Sequence, residues 1–433
     1  MNKSHDKVVY LNREPTVIPG AEHNISRNAI SDNALKVLYR LKNAGFAAYL
    51  VGGSVRDLLL GREPKDFDVA TDATPEQIRE LFRNSRLIGR RFRLAHVHYG
   101  DDIIEVSTFR APHRIDTSAG HAVDGRIIRD NVYGGIDDDV WRRDFTVNAL
   151  YYNIADEAVV DYVDGMRDIK SCCIRLIGDP HERFTEDPVR LLRAVRFATK
   201  LGFRISGDTE RCLSELAPSL GGIAPARLFE EVLKMFFNGY ALQTFEQLRH
   251  YRMFGELFPQ TEEALAHQYG GFPHTFVVNA LRNTDNRLAE NKPVTPGFLL
   301  AALLWIPMDR LARDNIAQGL KEMEAIMLAG DIVISKQTRS TAMPRRFTQL
   351  AREIWQLQPR LARSVNRRPH RLVQHPRFRA AYDFLLLRAE SGEEVTELAN
   401  WWTAFQQDNP VKKAHSGDKH NSRRRRRRRQ RQS

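Results

Sequence analysis

The sequence predicts an α+β protein in which a small domain built on a mixed sheet is followed by an all-α neck and body. Before residue 170, short apolar runs bounded by turn residues alternate with helical periods. Between residues 188 and 402, apolar residues recur almost only at intervals of three and four. The last 22 residues carry eleven lysines and arginines against one aspartate, which predicts a disordered basic tail.

The first elements along the chain follow from a capping residue, an apolar run and a glycine pair. Ser31 can cap a helix whose apolar residues recur at intervals of three and four and which ends at Gly45. An apolar run over residues 47–51 predicts a buried strand, and Gly52-Gly53 turns it into a short helix over residues 55–60. We therefore expect a strand–turn–helix unit directly after the first helix.

Another strand, a helix and a hairpin complete the prediction for this domain. A second short strand is predicted over residues 67–71. Thr74 and Gln77 have the spacing of a capping box, which predicts the start of the next helix. Residues 94–99 and 103–108 are joined by turn residues and predict a β-hairpin. These elements together indicate a mixed sheet with helices packed on it.

Beyond this sheet the sequence becomes helical. Residues 188–200 and 226–237 are the first of a series of amphipathic segments. Residues 110–129 are polar, contain glycine and show no period, so a mobile loop is expected there. The expected domains are a leader whose order the sequence leaves open (residues 1–25), a mixed-sheet domain (26–170), a helical neck (171–235), a helical body (236–410) and a disordered arginine-rich tail (411–433).

Composition excludes several classes of protein. Hydrophobic residues make up 42% and charged residues 28% of the 433 residues, which is typical of a soluble globular protein and not of a fibrous one. Three cysteines, two of them adjacent, build neither a disulfide framework nor a zinc site. No apolar stretch reaches the roughly 18 residues that cross a bilayer, and no signal peptide is evident, so we expect a cytoplasmic location and no membrane segment.

The positive charge is concentrated at one end of the chain. The net charge is +12, and the 411 residues before the last 22 account for only +2 of it. A basic arm on a nearly neutral body favours a polyanionic partner such as RNA, bound through phosphate contacts. A solubilising or flexible tail is the alternative interpretation.

The sharpest local pattern combines the glycine turn with a pair of carboxylates. Asp66 and Asp68 follow Gly52-Gly53 after twelve intervening residues. Because the two aspartates are separated by two positions on a strand, both carboxylates project from one face, with about 7 Å between their backbones. Mg²⁺ bound together with substrate phosphates relieves the repulsion between them. The glycine N–H groups can approach a phosphate closely, and Arg56 can pair with it. A plain tight turn beside a surface strand is the alternative, but the combination favours a catalytic metal site.

These residues resemble the signature of the nucleotidyltransferase superfamily, a Gly-Gly or Gly-Ser followed by Asp-x-Asp. More narrowly, the sequence is similar to the class II branch, which contains bacterial poly(A) polymerases and CCA-adding tRNA nucleotidyltransferases. The segments that match this branch are residues 52–57, 64–71, 104–110, 142–150, 186–197 and 226–231.

The resemblance implies a palm-type catalytic domain, a two-metal mechanism with Mg²⁺ or Mn²⁺, and ATP as substrate. It implies that Asp66 and Asp68 bind metal and act in catalysis with Asp144. Asp144 could instead bind a ribose hydroxyl or support an arginine, and Glu105 is the alternative third carboxylate. The residues expected to bind nucleotide are Gly52, Gly53, Arg56, Arg143, Asp187, Arg190, Arg193 and Arg196.

The predicted nucleotide-selecting helix has its own physical basis. Asp187 and Arg190, three residues apart at a helix start, share a face from which an acceptor and a guanidinium can read a base edge. Arg193 and Arg196 continue that face and could meet the triphosphate. An amphipathic helix with solvated arginines is the alternative, and these residues leave the choice between ATP and CTP open.

Three features favour the poly(A) polymerase subfamily. Residues 87–97 are similar to a segment that marks its proteobacterial members, residues 353–358 and 375–383 resemble its helical half, and a basic tail suits sequence-independent capture of RNA. The RNA-binding residues expected in the tail are Arg423, Arg424, Arg425, Arg426, Arg427, Arg428 and Arg429.

We therefore expect template-independent polyadenylation of RNA 3′ ends, in which AMP is transferred from ATP with release of pyrophosphate and RNA turnover is promoted. A CCA-adding tRNA nucleotidyltransferase and a non-catalytic RNA-binding adaptor with a decayed site are the alternatives.

Overall fold

A computed structural model of the chain describes residues 14–89, 93–111, 122–123, 126–127, 133–266, 272–365 and 369–409. The chain divides into two compact units, one of residues 1–223 with 250–253 and the other of residues 224–249 with 254–433. The predicted tail lies outside the described residues, as does most of the predicted loop at 110–129.

The first unit holds all the strands of the described chain. They are β1 (Thr16–Ile18), β2 (Ala48–Val51), β3 (Asp68–Thr71), β4 (Ser85–Ile88), β5 (Leu94–Tyr99), β6 (Asp102–Thr108), β7 (Ala122–Val123), β8 (Arg126–Ile127), β9 (Leu150–Asn153), β10 (Val159–Asp161), β11 (Cys173–Ile174) and β12 (Arg204–Ile205).

Eight helices accompany these strands in the described part of the first unit. They are α1 (Asp32–Asn43), α2 (Gly53–Leu59), α3 (Pro75–Leu81), α4 (Ile136–Arg142), α5 (Gly165–Lys170), α6 (Pro180–Glu186), α7 (Val189–Leu201) and α8 (Gly207–Leu216). Short 3-10 turns lie at Gly20–Glu22, Arg27–Ala29, Thr146–Asn148 and Ala217–Gly222.

The centre of the first unit is an eight-stranded mixed sheet of order β1-β10-β9-β2-β3-β6-β5-β4. Neighbouring strands run antiparallel except for β3 and β6, which are parallel. The predicted hairpin forms as β5 and β6. The predicted fold class is confirmed, and the sheet is larger than the sequence indicated because β1, β4, β9 and β10 were not predicted.

The two faces of the sheet are covered to different extents. Val69, Val97 and Val106 are fully buried and lie on the face against which α1 and α3 pack. On the other face, Val51 and Tyr151 belong to an apolar cluster with α4, which covers β9, β2 and β3. Beyond β3 this second face stays accessible. We call it the open face and define it by the residues Arg86, Ile88, His96, His98, Ile103 and Glu105.

Local signals account for the helix starts that the sequence predicted. The Ser31 hydroxyl accepts a hydrogen bond of 3.2 Å from the Ala34 N–H and caps α1. Thr74 and Gln77 form the capping box of α3, with both reciprocal hydrogen bonds present. The Ser31 cap and the Thr74 capping box are therefore confirmed.

Part of the predicted leader belongs to the sheet. Residues 16–18 form β1, which pairs antiparallel with β10 at the sheet edge. The strand ends at Pro19, which has no N–H to continue the ladder. No period was visible in the leader, because three residues are too few to show alternation.

The described part of the second unit is helical, as predicted. Its helices are α9 (Pro225–Phe236), α10 (Ala241–His250), α11 (Phe254–Leu257), α12 (Pro259–Ala266), α13 (Phe272–Ala289), α14 (Pro296–Leu303), α15 (Trp305–Ala317), α16 (Glu322–Ser340), α17 (Arg345–Ser364), α18 (Pro369–Val373), α19 (Phe378–Glu390) and α20 (Thr396–Asp408). The two largest buried side chains, Trp355 and Trp402, donate their indole N–H groups to the Ala301 and Leu361 carbonyls at 3.1 and 3.2 Å.

Candidate active site

Two carboxylates are brought side by side by the parallel pairing of β3 and β6. Asp68 is the first residue of β3, and its direct partners are Val51 on β2 and Glu105 on β6. Directly paired residues project from the same face of a sheet, so the two carboxylates are neighbours. Burial, together with the nearby Glu105 and Asp66 carboxylates and against the lowering effect of Arg143, raises the pKa of Asp68 from its ordinary 3.8 to about 6.

Asp66 lies outside the strand on which the sequence placed it. Residues 65 and 66 form a bend, Asp66 is exposed, and β3 begins only at Asp68. Its neighbour β2 ends at Val51, directly opposite Asp68, where Gly52 turns the chain away. The prediction that both aspartates project from one strand is therefore wrong. Asp66 nevertheless remains within electrostatic range of Asp68.

The glycine turn lies next to Asp68, because it directly follows the paired residue Val51. Gly52 has φ 76° and ψ −131°, a conformation that side-chain-bearing residues rarely adopt. A Cβ built on Gly52 would lie 3.6 Å from Nη1 of Arg143. The turn, Asp68 and Arg143 therefore occupy one small region.

Arg143 is held in place by two side chains that sequence analysis did not identify. Its Nη2 donates to Asp139 at 2.9 Å and its Nε donates to the Tyr151 hydroxyl at 2.7 Å. The Tyr151 hydroxyl in turn donates to Asp139 at 2.7 Å. Burial lowers the pKa of Arg143, but Tyr151 and Asp139 outweigh it and raise that pKa above its ordinary value. Arg143 is therefore a permanently charged group with a fixed orientation.

Arg56 is turned inward beneath the glycine turn. Its side chain is 3% exposed, and its Nε and Nη2 donate to Asp57 at 2.8 and 2.7 Å. Its Nη1 donates to the Asn148 side chain at 2.5 Å. A guanidinium with these partners supports the turn from behind, whereas the sequence suggested that it meets a phosphate directly.

Asp144 is paired with an arginine of the predicted nucleotide-selecting helix. Arg193 on α7 donates from Nε to the Asp144 carboxylate at 2.6 Å, and Phe145 N–H and the Asn148 amide donate to the same side chain. Burial alone would raise the pKa of Asp144, but Arg193 and the hydrogen bonds lower it below its ordinary range. Of the roles that the sequence left open, this geometry favours support of an arginine.

Three predicted nucleotide-binding arginines surround one aromatic ring. The guanidinium carbons of Arg56, Arg193 and Arg196 lie 5.3, 5.3 and 4.6 Å from the centre of the Phe197 ring. Burial lowers the pKa of Lys200 on the same helix; Asp57 raises it, and Arg56 and Arg196 lower it further. The start of α2 and the face of α7 thus form a dense cationic region suited to an anion.

The remaining predicted pair lies at the junction of α6 and α7. Asp187 lies just outside α7, and its carboxylate accepts from the Val189 N–H at 3.3 Å. Arg190 is the second residue of α7 and donates to the Arg183 carbonyl at 2.6 Å and to Glu186 at 3.1 Å. The two residues are therefore close in the chain but do not share a helix face as predicted.

The sequence carried a signal for some of the supporting residues that were missed. Asp139 precedes Arg143 by four residues, the spacing of an ion pair on a helix, and Asp57 is adjacent to Arg56. Tyr151 and Asn148 carried none, because their contacts depend on how the chain folds back. His96, interpreted from sequence as surface or core, contacts Glu105 with 3.3 Å between its Nε2 and the Oε1 atom.

Oxygen donors dominate the region around Asp68, which is the chemistry that Mg²⁺ prefers. Within the described residues, no group of three or more His, Cys, Asp or Glu side chains is gathered closely enough to enclose a metal ion alone. Magnesium commonly takes one or two carboxylates and completes its shell with water and substrate phosphates. Asp68, Glu105 and the nearby Asp66 fit a site of that kind.

A mixed sheet that presents adjacent carboxylates beside a glycine turn and an arginine-rich helix defines a nucleotidyltransferase. Comparison with known families agrees. Residues 48–175 match the family described as "Poly A polymerase head domain", residues 202–265 match "Probable RNA and SrmB- binding site of polymerase A", and residues 318–433 match "Polymerase A arginine-rich C-terminus".

Relatives of known activity cover nearly the whole chain. Poly(A) polymerase I of Salmonella typhimurium is 50% identical over 91% of this chain and 86% of its own length. Poly(A) polymerase I of Haemophilus influenzae is 46% identical over 92% of this chain and 89% of its own. The chain belongs to the bacterial poly(A) polymerase family, as the sequence motifs predicted.

CCA-adding enzymes are more distant relatives. The enzyme of Lactobacillus helveticus is 40% identical over 49% of this chain and 52% of its own length. Among solved structures, "The structure of CCA-adding enzyme apo form II" has a TM-score of 0.63 at 21% identity and covers 93% of this chain and 89% of its own. The CCA-adding enzyme of Bacillus stearothermophilus in complex with CTP has a TM-score of 0.59 at 25% identity, with 87% and 82% covered. These likenesses confirm the predicted fold.

Proposed function

We propose that this chain adds AMP residues from ATP to RNA 3′ ends without a template and releases pyrophosphate. The observation that carries the proposal is the strand register that places Asp68 beside Glu105, next to the Gly52 turn. The chain that holds this site matches poly(A) polymerases over nine-tenths of its length. The sequence match to the CCA-adding enzyme of Lactobacillus helveticus spans only about half of the chain, which favours polyadenylation over CCA addition.

The carboxylates are proposed to hold Mg²⁺. Asp66 and Asp68 are the ligands expected from sequence, and the strand register supports Glu105 as the third carboxylate, because Asp144 is engaged with Arg193. When bound, the metal ions activate the attacking hydroxyl and neutralise charge on the transferring phosphate. Mn²⁺, with similar ligand preferences, is expected to substitute.

The arginines are proposed to bind the triphosphate. Gly52 and Gly53 let backbone N–H groups approach a phosphate, and Arg143 and Arg193 are held beside them by Asp139, Tyr151 and Asp144. Arg196 adds charge to the same region, and Arg56 stabilises the turn. The base edge is proposed to be read at the α6–α7 junction, by Asp187 and Arg190.

The transfer step balances without an oxidant or reductant. The 3′ oxygen of the RNA forms a bond to the α-phosphorus of ATP, and the bond from that phosphorus to the bridging oxygen breaks. The hydroxyl proton passes to solvent or a buffering base, and pyrophosphate leaves. Fixed cations at Arg143 and Arg193 stabilise the charge that builds on the leaving group.

We propose a cytoplasmic location and a role in RNA turnover, supported by the bacterial poly(A) polymerase relatives. No helix of the described residues is long and apolar enough to span a membrane. The division into neck and body at 171–235 and 236–410, and RNA binding by the 423–429 arginines, are proposed from the sequence alone.

The proposal is tested by removing the metal-binding carboxylates one at a time. Asp66→Ala and Asp68→Ala should each lower AMP incorporation about a thousandfold or more, because metal assistance contributes several kcal/mol to such reactions. Asp101→Ala, in the β5–β6 turn, is the matched control and should keep full activity. Circular dichroism checks that each variant is folded. Near-normal turnover in folded Asp68→Ala would refute the site assignment.

A further inference from the structure

The open face begins at the catalytic carboxylates. Asp68, Glu105, His96 and Arg86 are direct partners in successive strands, so they form one row across β3, β6, β5 and β4. At a strand spacing of about 4.8 Å, Arg86 lies about 14 Å from Asp68 along this row. A single surface therefore leads from the reaction centre to the edge of the sheet.

A basic cavity lies at the outer end of this row. Its volume is about 540 Å³, and its lining residues come from the end of α3, the start of β4 and the end of β5: Arg79, Arg83, Asn84, Ser85, Arg86 and His98. Asn84 joins the two strands there, since its amide donates to the His98 carbonyl at 2.7 Å. The cavity is thus built on ordered backbone.

Among the described residues, no acidic side chain lines the cavity. Arg79 donates to the Arg83 carbonyl at 3.3 Å, and within the described part of the chain Arg79, Arg83 and Arg86 form no ion pair with a carboxylate. The nearby Glu76 is paired with Arg93 at 2.7 Å. Three exposed guanidinium groups converging on one cavity favour a phosphate as its occupant.

On either side of the row from Asp68 to Arg86, the open face offers apolar surfaces for bases. Ile88, at the end of the edge strand β4, and Ile103, near the start of β6, are 45% and 41% exposed. His96 lies in the row and is 19% exposed, and His98, two residues further along β5, is the direct partner of Ile103. Open sheet faces with exposed rings and apolar side chains are common platforms for single-stranded RNA.

The geometry of in-line phosphoryl transfer indicates which substrate binds on the open face. The attacking oxygen and the leaving pyrophosphate must lie on opposite sides of the α-phosphorus. In the proposed function the triphosphate binds at Arg143 and the Gly52 turn, which lie on the β2 side of Asp68. The RNA 3′ hydroxyl must then approach from the opposite side, where β6, β5 and β4 form the open face.

We propose that the open face carries the RNA strand to the active site, with a backbone phosphate upstream of the 3′ end bound in the cavity of Arg79, Arg83 and Arg86. This inference rests on the proposed function, and it assigns RNA contacts to the catalytic unit in addition to those expected in the basic tail. The cavity arginines bind phosphate, and the side chains of the open face pack against any base. Binding is therefore independent of RNA sequence.

The test is the variant Arg79→Gln/Arg83→Gln/Arg86→Gln in the full chain. With a 20-nucleotide unstructured RNA, we expect the KM for RNA to rise about tenfold and the salt slope of RNA binding to flatten by about 0.7 for each phosphate that the variant no longer binds. With a dinucleotide, whose single backbone phosphate is too near the 3′ end to reach the cavity, the variant and the parent should behave alike. The KM for ATP and the kcat at saturating RNA should stay within twofold.

Two control variants separate charge from structure. Lys42→Gln/Arg167→Gln/Lys170→Gln removes three exposed cations from α1 and α5, away from the open face, and should leave the KM for RNA unchanged. Arg79→Lys/Arg83→Lys/Arg86→Lys keeps the charge and should restore most of the affinity. Circular dichroism confirms that each variant folds.

The outcomes distinguish this inference from the proposed function. An unchanged KM for the long RNA in a folded Gln variant would refute the RNA path while leaving polyadenylation intact. A rise in the KM for ATP instead would place the cavity in the nucleotide site and also refute it. An error in the proposed function would show separately, as normal activity of the folded Asp68→Ala variant.

Discussion

The variant Asp68→Asn should abolish activity and at the same time make the protein more stable. In the folded chain, burial and the Glu105 and Asp66 carboxylates raise the pKa of Asp68 from 3.8 to about 6. The difference of about two pH units, at about 1.4 kcal/mol each, means that the ionised carboxylate costs about 3 kcal/mol at neutral pH. Solvent and salt screen part of this, so replacement by a neutral amide should stabilise the fold by about 1–3 kcal/mol.

The stability that Asp68→Asn gains over the parent should increase as pH rises. Between pH 4 and pH 6 the folded protein holds a proton on Asp68 that the unfolded chain has released. The stability of the parent therefore falls as pH rises through this window, and the Asn variant lacks that loss. The two proteins should differ most at pH 7 and least below pH 4.

Thermal unfolding in EDTA without added metal measures this effect. The melting temperature of the transition that includes the sheet should rise by roughly 2–12 °C in Asp68→Asn at pH 7, given about 2–4 °C for each kcal/mol in domains of this size. Asp101→Asn, an exposed change on the neighbouring hairpin, is the control and should show no shift. A lower melting temperature for Asp68→Asn would refute the view that this carboxylate is held in place against repulsion.

Three further predictions concern charges with defined partners. Asp144→Asn should destabilise the fold by about 2–3 kcal/mol at pH 7, because Arg193 loses the carboxylate whose pKa it lowers. The difference in stability between the parent and this variant should shrink below pH 4, where the parent carboxylate is protonated. Denaturant titrations at pH 7 and below pH 4 measure this difference. Asp139→Asn should lower kcat/KM for ATP about tenfold in steady-state assays while circular dichroism stays unchanged, since Arg143 loses its ionic anchor. Deletion of residues 411–433 should weaken RNA binding and reduce its salt dependence in filter-binding titrations, and an unchanged salt slope would exclude tail contacts with RNA.

The elements that sequence analysis predicted well are those with local signals. Ser31 and Thr74 mark helix starts through hydrogen bonds within three residues. The β5–β6 hairpin is defined by alternation on both sides of a tight turn. Such signals need no knowledge of how distant parts of the chain meet.

The features that were missed depend on distant pairing. Glu105 becomes the neighbour of Asp68 only because β6 pairs with β3, and the sequence does not state the order of strands. Asp144 finds Arg193 49 residues further on, which is why its role was left open. The placement of Asp66 on β3 failed for the same reason, because β3 begins only at Asp68, opposite the last residue of β2.

The most direct test of the account is the product made from two RNAs. Purified protein with Mg²⁺ would be given a radiolabelled unstructured RNA or a tRNA that lacks its CCA end, with ATP alone or with ATP and CTP. Template-independent polyadenylation predicts a long ladder on the unstructured RNA with ATP alone. Addition confined to the tRNA, dependent on CTP and ending after three nucleotides, would contradict it, as would the absence of any addition.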